Sequence, residues 1–294
     1  MELLKLTPEE FTKVARLVYE KTGIHIADSK LSLLSNRLRK RLRALKLDTF
    51  EQYYRLIRSK EGYEEELPHF LSAVTTNETY FFRNDQLWQF FGKDLVEHFV
   101  QTKKAGQKTV RIWSAACSTG AEAYTAAILL RENLPNVKAW NIQIIGSDIS
   151  QKVLDAAKAG VYNEYAVSRT SKQRIKRWFT PAADGMFQLK DEILKMVRFE
   201  FHNLQDKHPA GRFDLIFLRN VLMYFDLEMK KRVIGVTTEA LVPGGYLIIG
   251  DVDPVRTIPE LRECMPLEYK RPGTYQKPIA GKTESVNKKQ LVST

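Results

Sequence analysis

The sequence predicts an α/β protein: an all-α domain at the N-terminus, then an open, mostly parallel sheet wound with helices. Three observations carry this. The first 75 or so residues show helical periodicity and no strand signal. A Lys/Gly-rich break falls at residues 103–108. Beyond it, short apolar runs alternate with helical segments, the pattern of parallel strands joined by right-handed crossovers. The expected organisation is a helical domain over 1–75, a linker and connecting helix over 76–107, a sheet domain over 108–277, and a disordered polar tail over 278–294.

The elements follow in order. Thr7-Pro8-Glu9-Glu10 is a capping box with Pro at the first helical position, and Phe11, Val14, Leu17 and Val18 follow at helical spacing. A second helix starts near Asp28-Ser29, with Leu31, Leu34, Leu38, Leu42 and Leu45 as its apolar stripe. Its other faces carry Arg37, Arg39, Lys40, Arg41, Arg43 and Lys46. Residues 49–51, and the stretch after Gly62, start two further short helices. Residues 85–101 form a long amphipathic segment. Strands are expected at 110–113, 142–145, 213–218 and 246–249, the last after the turn Val242-Pro243-Gly244-Gly245. Helices are expected at 121–131, from Ser150 to about 159, and from Asp226. Residues 186–189 and 193–201 read as a small β insertion (about 182–202) turning at Lys190-Asp191. Residues 267–270 and 274–276 flank Arg271-Pro272-Gly273 as a closing hairpin.

Composition narrows the function. With 46 Lys+Arg against 35 Asp+Glu in 294 residues, the net charge is +11. That excess calls for an acidic partner: nucleic acid, an anionic membrane or an acidic protein. No apolar run approaches the roughly 18 residues a membrane span needs, and the acidic start lacks the basic and apolar parts of a signal peptide. Two cysteines, Cys117 and Cys264, cannot build a disulfide framework or a four-ligand zinc site, and the five histidines lack H-x-x-x-H spacing. No metal site and a reducing, cytoplasmic setting are therefore expected.

In an open parallel sheet, ligands sit beyond the carboxyl ends of the strands. The first such end, Trp113-Ser-Ala-Ala-Cys-Ser-Thr-Gly120, is a small-residue loop that allows close backbone approach, and it would serve equally as a tight strand–helix turn. It is not G-x-G-x-x-G, so a dinucleotide pyrophosphate is not its obvious tenant. The second, Gly146-Ser147-Asp148, ends in an acid suited to both ribose hydroxyls of an adenosine. The third, Phe201-His202-Asn203-Leu204, can frame an adenine with an amide and an aliphatic side chain. The fourth, residues 218–225, sets polar Arg219 and Asn220 ahead of Tyr224-Phe225, with Asn220 also placed to cap a helix. A ribose-binding acid without a phosphate loop suits S-adenosylmethionine (SAM).

The acceptor is constrained by what is missing. The D/N/S-P-P-Y/F tetrapeptide of base-amino methylases is absent after the strand ending at Leu218, and so is a Pro-Cys nucleophile. A carboxylate acceptor is already ionised at neutral pH and needs a cation to orient it. The junction segment Thr75-Thr-Asn-Glu-Thr-Tyr-Phe-Phe-Arg83 offers Arg83 for that task, with Asn77 and Thr79 for the cofactor's polar groups. An interdomain salt bridge is the competing use of Arg83.

Together residues 75–83, 113–120, 146–148 and 213–225, in this order, resemble the CheR-type chemotaxis receptor glutamate methyltransferases over roughly residues 5–277. The resemblance implies an N-terminal helical domain, a linker, and a Rossmann-like SAM domain with a small inserted antiparallel β-subdomain. It implies cofactor contacts by Asn77, Thr79, Arg83, Glu122, Asp148, Asn203, Leu204, Asn220 and Val221, and catalytic placement of Arg83 and Tyr224. The basic helix, through Arg37, Arg39, Arg41 and Arg43, would meet the cytoplasmic helices of a methyl-accepting receptor, and S-adenosylhomocysteine would be the product. The chain departs from the family at Ala121 and Ala123, where Gly-Glu-Glu-Pro-Tyr is usual, and at Gly250-Asp251-Val252-Asp253, where Gly-His-Ser-Glu is usual. These departures keep a non-catalytic SAM-binding signalling protein as an alternative, and the charge alone keeps a nucleic-acid methyltransferase. The short loop at residues 180–186 argues against tethering to a receptor's C-terminal pentapeptide.

Overall fold

The structure, a computed structural model, describes residues 4–279 except 105, 107, 251–254 and 256. The expected tail beyond residue 279 and the departures at Asp251 and Asp253 lie outside the described residues.

Four helices make the N-terminal domain: α1 (Pro8–Thr22), α2 (Leu31–Leu45), α3 (Phe50–Arg58) and α4 (Lys60–Val74). The capping box forms as read, with Thr7 and Glu10 each satisfying the other's backbone N–H. The Leu34, Leu38 and Leu42 stripe is buried against Phe11, Leu17, Tyr53 and Phe70. α4 corrects one expectation, since it starts two residues before Gly62 and runs for 15 residues. Ser59 is its cap, its hydroxyl accepting the Gly62 N–H. Gly62 packs so closely on α3 that a Cβ there would collide with the Leu56 carbonyl, so this glycine marks a close approach rather than a break.

A linker leads to α5 (Asp85–Phe90), a π-helical turn (Phe91–Leu95) and α6 (Val96–Thr102). The sheet domain then runs β1 (Thr109–Ala115), α7 (Ala121–Asn133), β2 (Asn141–Asp148), α8 (Gln151–Ala159), β3 (Val161–Tyr162), α9 (Glu164–Val167), α10 (Lys172–Trp178), β4 (Phe179–Pro181), β5 (Phe187–Leu189), α11 (Asp191–Leu194), β6 (Val197–Phe201), β7 (Phe213–Phe217), α12 (Leu227–Ala240), β8 (Leu241–Ile248), α13 (Pro259–Glu263), β9 (Glu268–Arg271) and β10 (Thr274–Gln276).

The seven-stranded sheet has the order β6-β2-β1-β7-β8-β10-β9, parallel except for the closing hairpin, where β10 runs antiparallel to β8. Alternate residues along β1 feed opposite faces: Ile112 packs under α7 and Trp113 under α12. Strand order reverses between β1 and β7, and a crevice opens there at the carboxyl ends.

The β insertion differs from its expected bounds. Its three-stranded antiparallel sheet, β3-β5-β4, draws on Val161–Tyr162 and Phe179–Pro181 as well as Phe187–Leu189. Val197–Phe201 is not part of it; it pairs in parallel with β2 as the edge of the main sheet. No turn forms at Lys190-Asp191, where α11 begins instead. The segment Val242-Pro243-Gly244-Gly245 lies inside β8 as a register irregularity opposite β7.

Candidate active site

The crevice at the switch point is a cleft of about 960 Å³, open at its mouth. Its floor is the β1–α7 loop. Ala116, Ser118 and Gly120 all take left-handed backbone there, at φ 58°, 51° and 81°. Such strain in Cβ-bearing residues persists only where the surroundings hold it. Here the Cys117 N–H donates to the Ser147 carbonyl, the Ser118 N–H to Asp148 Oδ2 (2.9 Å), and the Ser118 hydroxyl to the Asn77 carbonyl (2.6 Å). Burial pushes the Cys117 thiol pKa well up, which suits a packing group rather than a nucleophile.

Asp148 ends β2 with 6% of its surface exposed. Burial raises its pKa, and the Ser150 and Ser118 amides work against that rise. Two backbone donors leave lone pairs on both oxygens for a ligand in the cleft. Ser150 stands at the α8 cap position as expected, but its hydroxyl is bonded to Ser72 of α4 rather than to the helix.

Glu122, in the first turn of α7, is held from two sides. The Ser114 hydroxyl donates to Oε1 (2.7 Å) and Arg219 Nη1 to Oε2 (2.9 Å). Arg219 also donates through Nη2 to the Arg83 carbonyl (3.0 Å), and its guanidinium lies 5.9 Å from the Trp88 ring. It is 8% exposed, and its Nε finds no partner. An unsatisfied buried donor is costly, and this one sits in the cleft wall. Sequence reading quoted Arg219 without giving it a role. The signal was present, since a cation directly after a fully buried strand must be paired.

All ten residues expected at the cofactor and catalytic positions, Asn77, Thr79, Arg83, Glu122, Asp148, Asn203, Leu204, Asn220, Val221 and Tyr224, line this one cleft. Asn203 does so with its amide engaged, Nδ2 donating to the Lys21 carbonyl and Oδ1 accepting the Gln205 N–H. Its amide is therefore a bracket between domains. Asn220 takes left-handed backbone (φ 57°) beside Arg219. The Arg83 guanidinium rests 5.5 Å from the Tyr80 ring, with one long bond to the Glu78 carbonyl. No interdomain salt bridge claims it among the described residues.

The N-terminal domain closes the remaining wall. Thr22 and Ile24 line the cleft, Ile24 bridges to Phe225, and the His25 N–H donates to the Tyr224 carbonyl (2.9 Å). The basic helix divides into inward and outward cations. Arg41 makes a bidentate pair with the buried Glu66, and Arg37 donates to the Val74 carbonyl and the Thr76 hydroxyl. Burial lowers the Arg37 pKa. Both were expected on a docking surface; the structure spends them on the domain and the linker. Arg39 is half-buried, with bonds to the Leu4 carbonyl and Asn36, and Arg43 is exposed.

Residues 77–271 match the CheR methyltransferase SAM binding domain, and residues 9–75 match the CheR methyltransferase all-alpha domain. The chain belongs to the CheR methyltransferase family. It is 30% identical to chemotaxis protein methyltransferase 2 of Vibrio cholerae over 97% of this chain and 98% of that one. Chemotaxis protein methyltransferase 1 of Pseudomonas aeruginosa is 34% identical over 85% and 93%, and the Salmonella typhimurium chemotaxis protein methyltransferase 34% over 84% of each. An S-adenosylmethionine dependent methyltransferase from Mesorhizobium loti superposes loosely, at 17% identity over 54% of this chain and 52% of that one with a TM-score of 0.29.

This CheR-family protein is a methyltransferase, and its cofactor is SAM. The cleft fits that group. Asp148 offers acceptors for ribose hydroxyls, Glu122 an acid and Arg219 an unsatisfied donor for a zwitterionic amino-acid end, and the left-handed loop brings backbone close without a phosphate nest.

Proposed function

We propose that this protein is a protein-glutamate O-methyltransferase acting on side-chain carboxylates in the cytoplasmic helices of methyl-accepting chemotaxis receptors. The products would be glutamyl methyl esters and S-adenosylhomocysteine. The observation that carries the reading is the position of Arg83. Its guanidinium is the weakly engaged cation of the cleft, facing the same space as Asp148, Glu122 and Tyr224. The named relatives act in chemotaxis, which supplies the receptor as acceptor.

When bound, SAM supplies an electrophilic methyl group on a sulfonium. Asp148 would hold the ribose, Glu122 and Arg219 the amino-acid end, and Leu204 and Val221 would pack the ring. Arg83 pairs with the incoming carboxylate and aims one oxygen along the cleft. Tyr224, fixed through its backbone by His25, closes the acceptor side. A carboxylate arrives ionised, so positioning supplies most of the rate. Removing its charge would alter the receptor surface.

Among the described residues no helix is long and apolar enough to cross a membrane, and the receptor would be met from the cytoplasm. Docking would use the exposed part of the basic helix, without a tethering pentapeptide, because only residues 182–186 separate β4 from β5.

The test is methyl transfer from labelled SAM to receptor fragments. Label on protein that is released by mild base is the expected result. Base-stable label, or transfer to RNA alone, would overturn the reading.

A further inference from the structure

A second cleft, open to solvent, lies behind the first. Its rim carries Lys93, Arg169 and Arg174, and its one lining acid is Asp85. Arg174 is neutralised by a bidentate pair with Glu132 and lies 4.5 Å from the Phe82 ring. Lys93 and Arg169 are exposed and have no ion-pair partner among the described residues. The Ser171 hydroxyl accepts the Arg174 N–H and so keeps its own proton to donate.

Gly92 lines this space. It sits in the π-helical turn, and an added Cβ would meet only Leu129 and Asn133, at 3.5 Å each, which is ordinary contact. Alanine would fit and would suit a helix better. Packing alone does not explain the glycine, and π-turns gather at functional positions.

The partition between the two clefts is thin. Phe82 lines the second and Arg83 the first, while Trp88 lines both. Phe82 and Asn84, on either side of Arg83, both hold left-handed backbone, at φ 58° and 76°. Trp88 Nε1 donates to the Arg83 carbonyl (3.0 Å). Whatever presses on Phe82 and Trp88 presses on the backbone that aims Arg83.

We propose that the second cleft is an effector site for a small phosphate-bearing anion, bound by Lys93 and Arg169 with the Ser171 hydroxyl, and that Trp88 transmits its occupancy to Arg83. The binding half stands alone; the transmission half rests on Arg83 orienting the acceptor. Inorganic pyrophosphate is the probe, titrated into protein saturated with S-adenosylhomocysteine so that the first cleft is filled. Calorimetry should find one saturable site, weakened at least tenfold by Lys93→Glu or Arg169→Glu and abolished by Gly92→Leu. Circular dichroism should show all three variants folded. No saturable binding, or affinity equal to the parent protein's in both charge-reversal variants, overturns the site. With receptor fragments, pyrophosphate should change kcat in the parent protein and not in Gly92→Leu. Binding that leaves kcat unmoved overturns the transmission, without bearing on the identity of the acceptor.

Discussion

Among the described residues, two arginine–glutamate pairs, Arg41–Glu66 in the helical domain and Arg219–Glu122 at the cleft, are built oppositely. In the helical domain the acid is the deep partner: the Glu66 side chain is 4% exposed and that of Arg41 22%. Glu66 accepts both guanidinium donors of Arg41 and the Tyr53 hydroxyl (2.7 Å), and the network is complete. At the cleft the cation is deep: the Arg219 side chain is 5% exposed and that of Glu122 13%. Arg219 Nε is left over, and Glu122 lines the cleft. A satisfied buried pair specifies a fold, whereas an incomplete one keeps capacity for a ligand.

The comparison breaks first at Glu66. Glu66→Ala leaves Arg41 and Tyr53 unpaired in the helical core and should cost about 3–5 kcal/mol. Thermal melting should show the loss, with SAM affinity per folded molecule little changed. Glu122→Gln should weight the two readouts differently. The amide oxygen can still accept from Ser114, but its NH2 then faces Arg219, so the melting temperature falls, by less than in Glu66→Ala, while calorimetric SAM affinity falls about tenfold or more, the worth of one charge-assisted contact of about 1.5–3 kcal/mol. Equal effects of the two variants on stability would erase the distinction.

A pH titration sharpens it further. Burial, reinforced by His202 and by Arg198 and Arg111 nearby and opposed by Glu200 Oε1 3.0 Å from Nε2, depresses the His208 pKa from 6.5 to about 4. The unfolded chain therefore binds a proton between pH 6.5 and 4 that the native state does not, so stability falls as pH falls through that window. Denaturant melts should lose about 2–3 kcal/mol across it, and His208→Gln should flatten the slope. The smallest effect belongs to the exposed cations. Lys40→Glu with Arg43→Glu should slow receptor methylation several-fold at low salt and hardly at all at high salt.

What could be read from the chain follows the range of the forces. Strand–helix alternation and the cleft acids are local, and Asp148 announces itself by closing an apolar run. Arg41 could not be assigned, because its partner lies 25 residues away on another helix. At the edge of an apolar stripe, a solvated arginine and a paired one look alike. The insertion was misplaced for a similar reason. Its strands are two or three residues long, too short for alternation to show, while Val197–Phe201 buries only Phe199. The bracket from Asn203 to Lys21 joins residues 182 positions apart and left no trace in either segment.

The proposed division of labour in one cleft gives Asp148 and Glu122 the cofactor and Arg83 the acceptor. Arg83→Ala separates the two. Single-turnover methyl transfer to a receptor fragment, measured beside calorimetric SAM binding, should show SAM affinity within a few-fold of the parent and a transfer rate lower by about a hundredfold, the scale of one lost charge-assisted contact to the reacting group. Undiminished transfer in that variant would contradict the account.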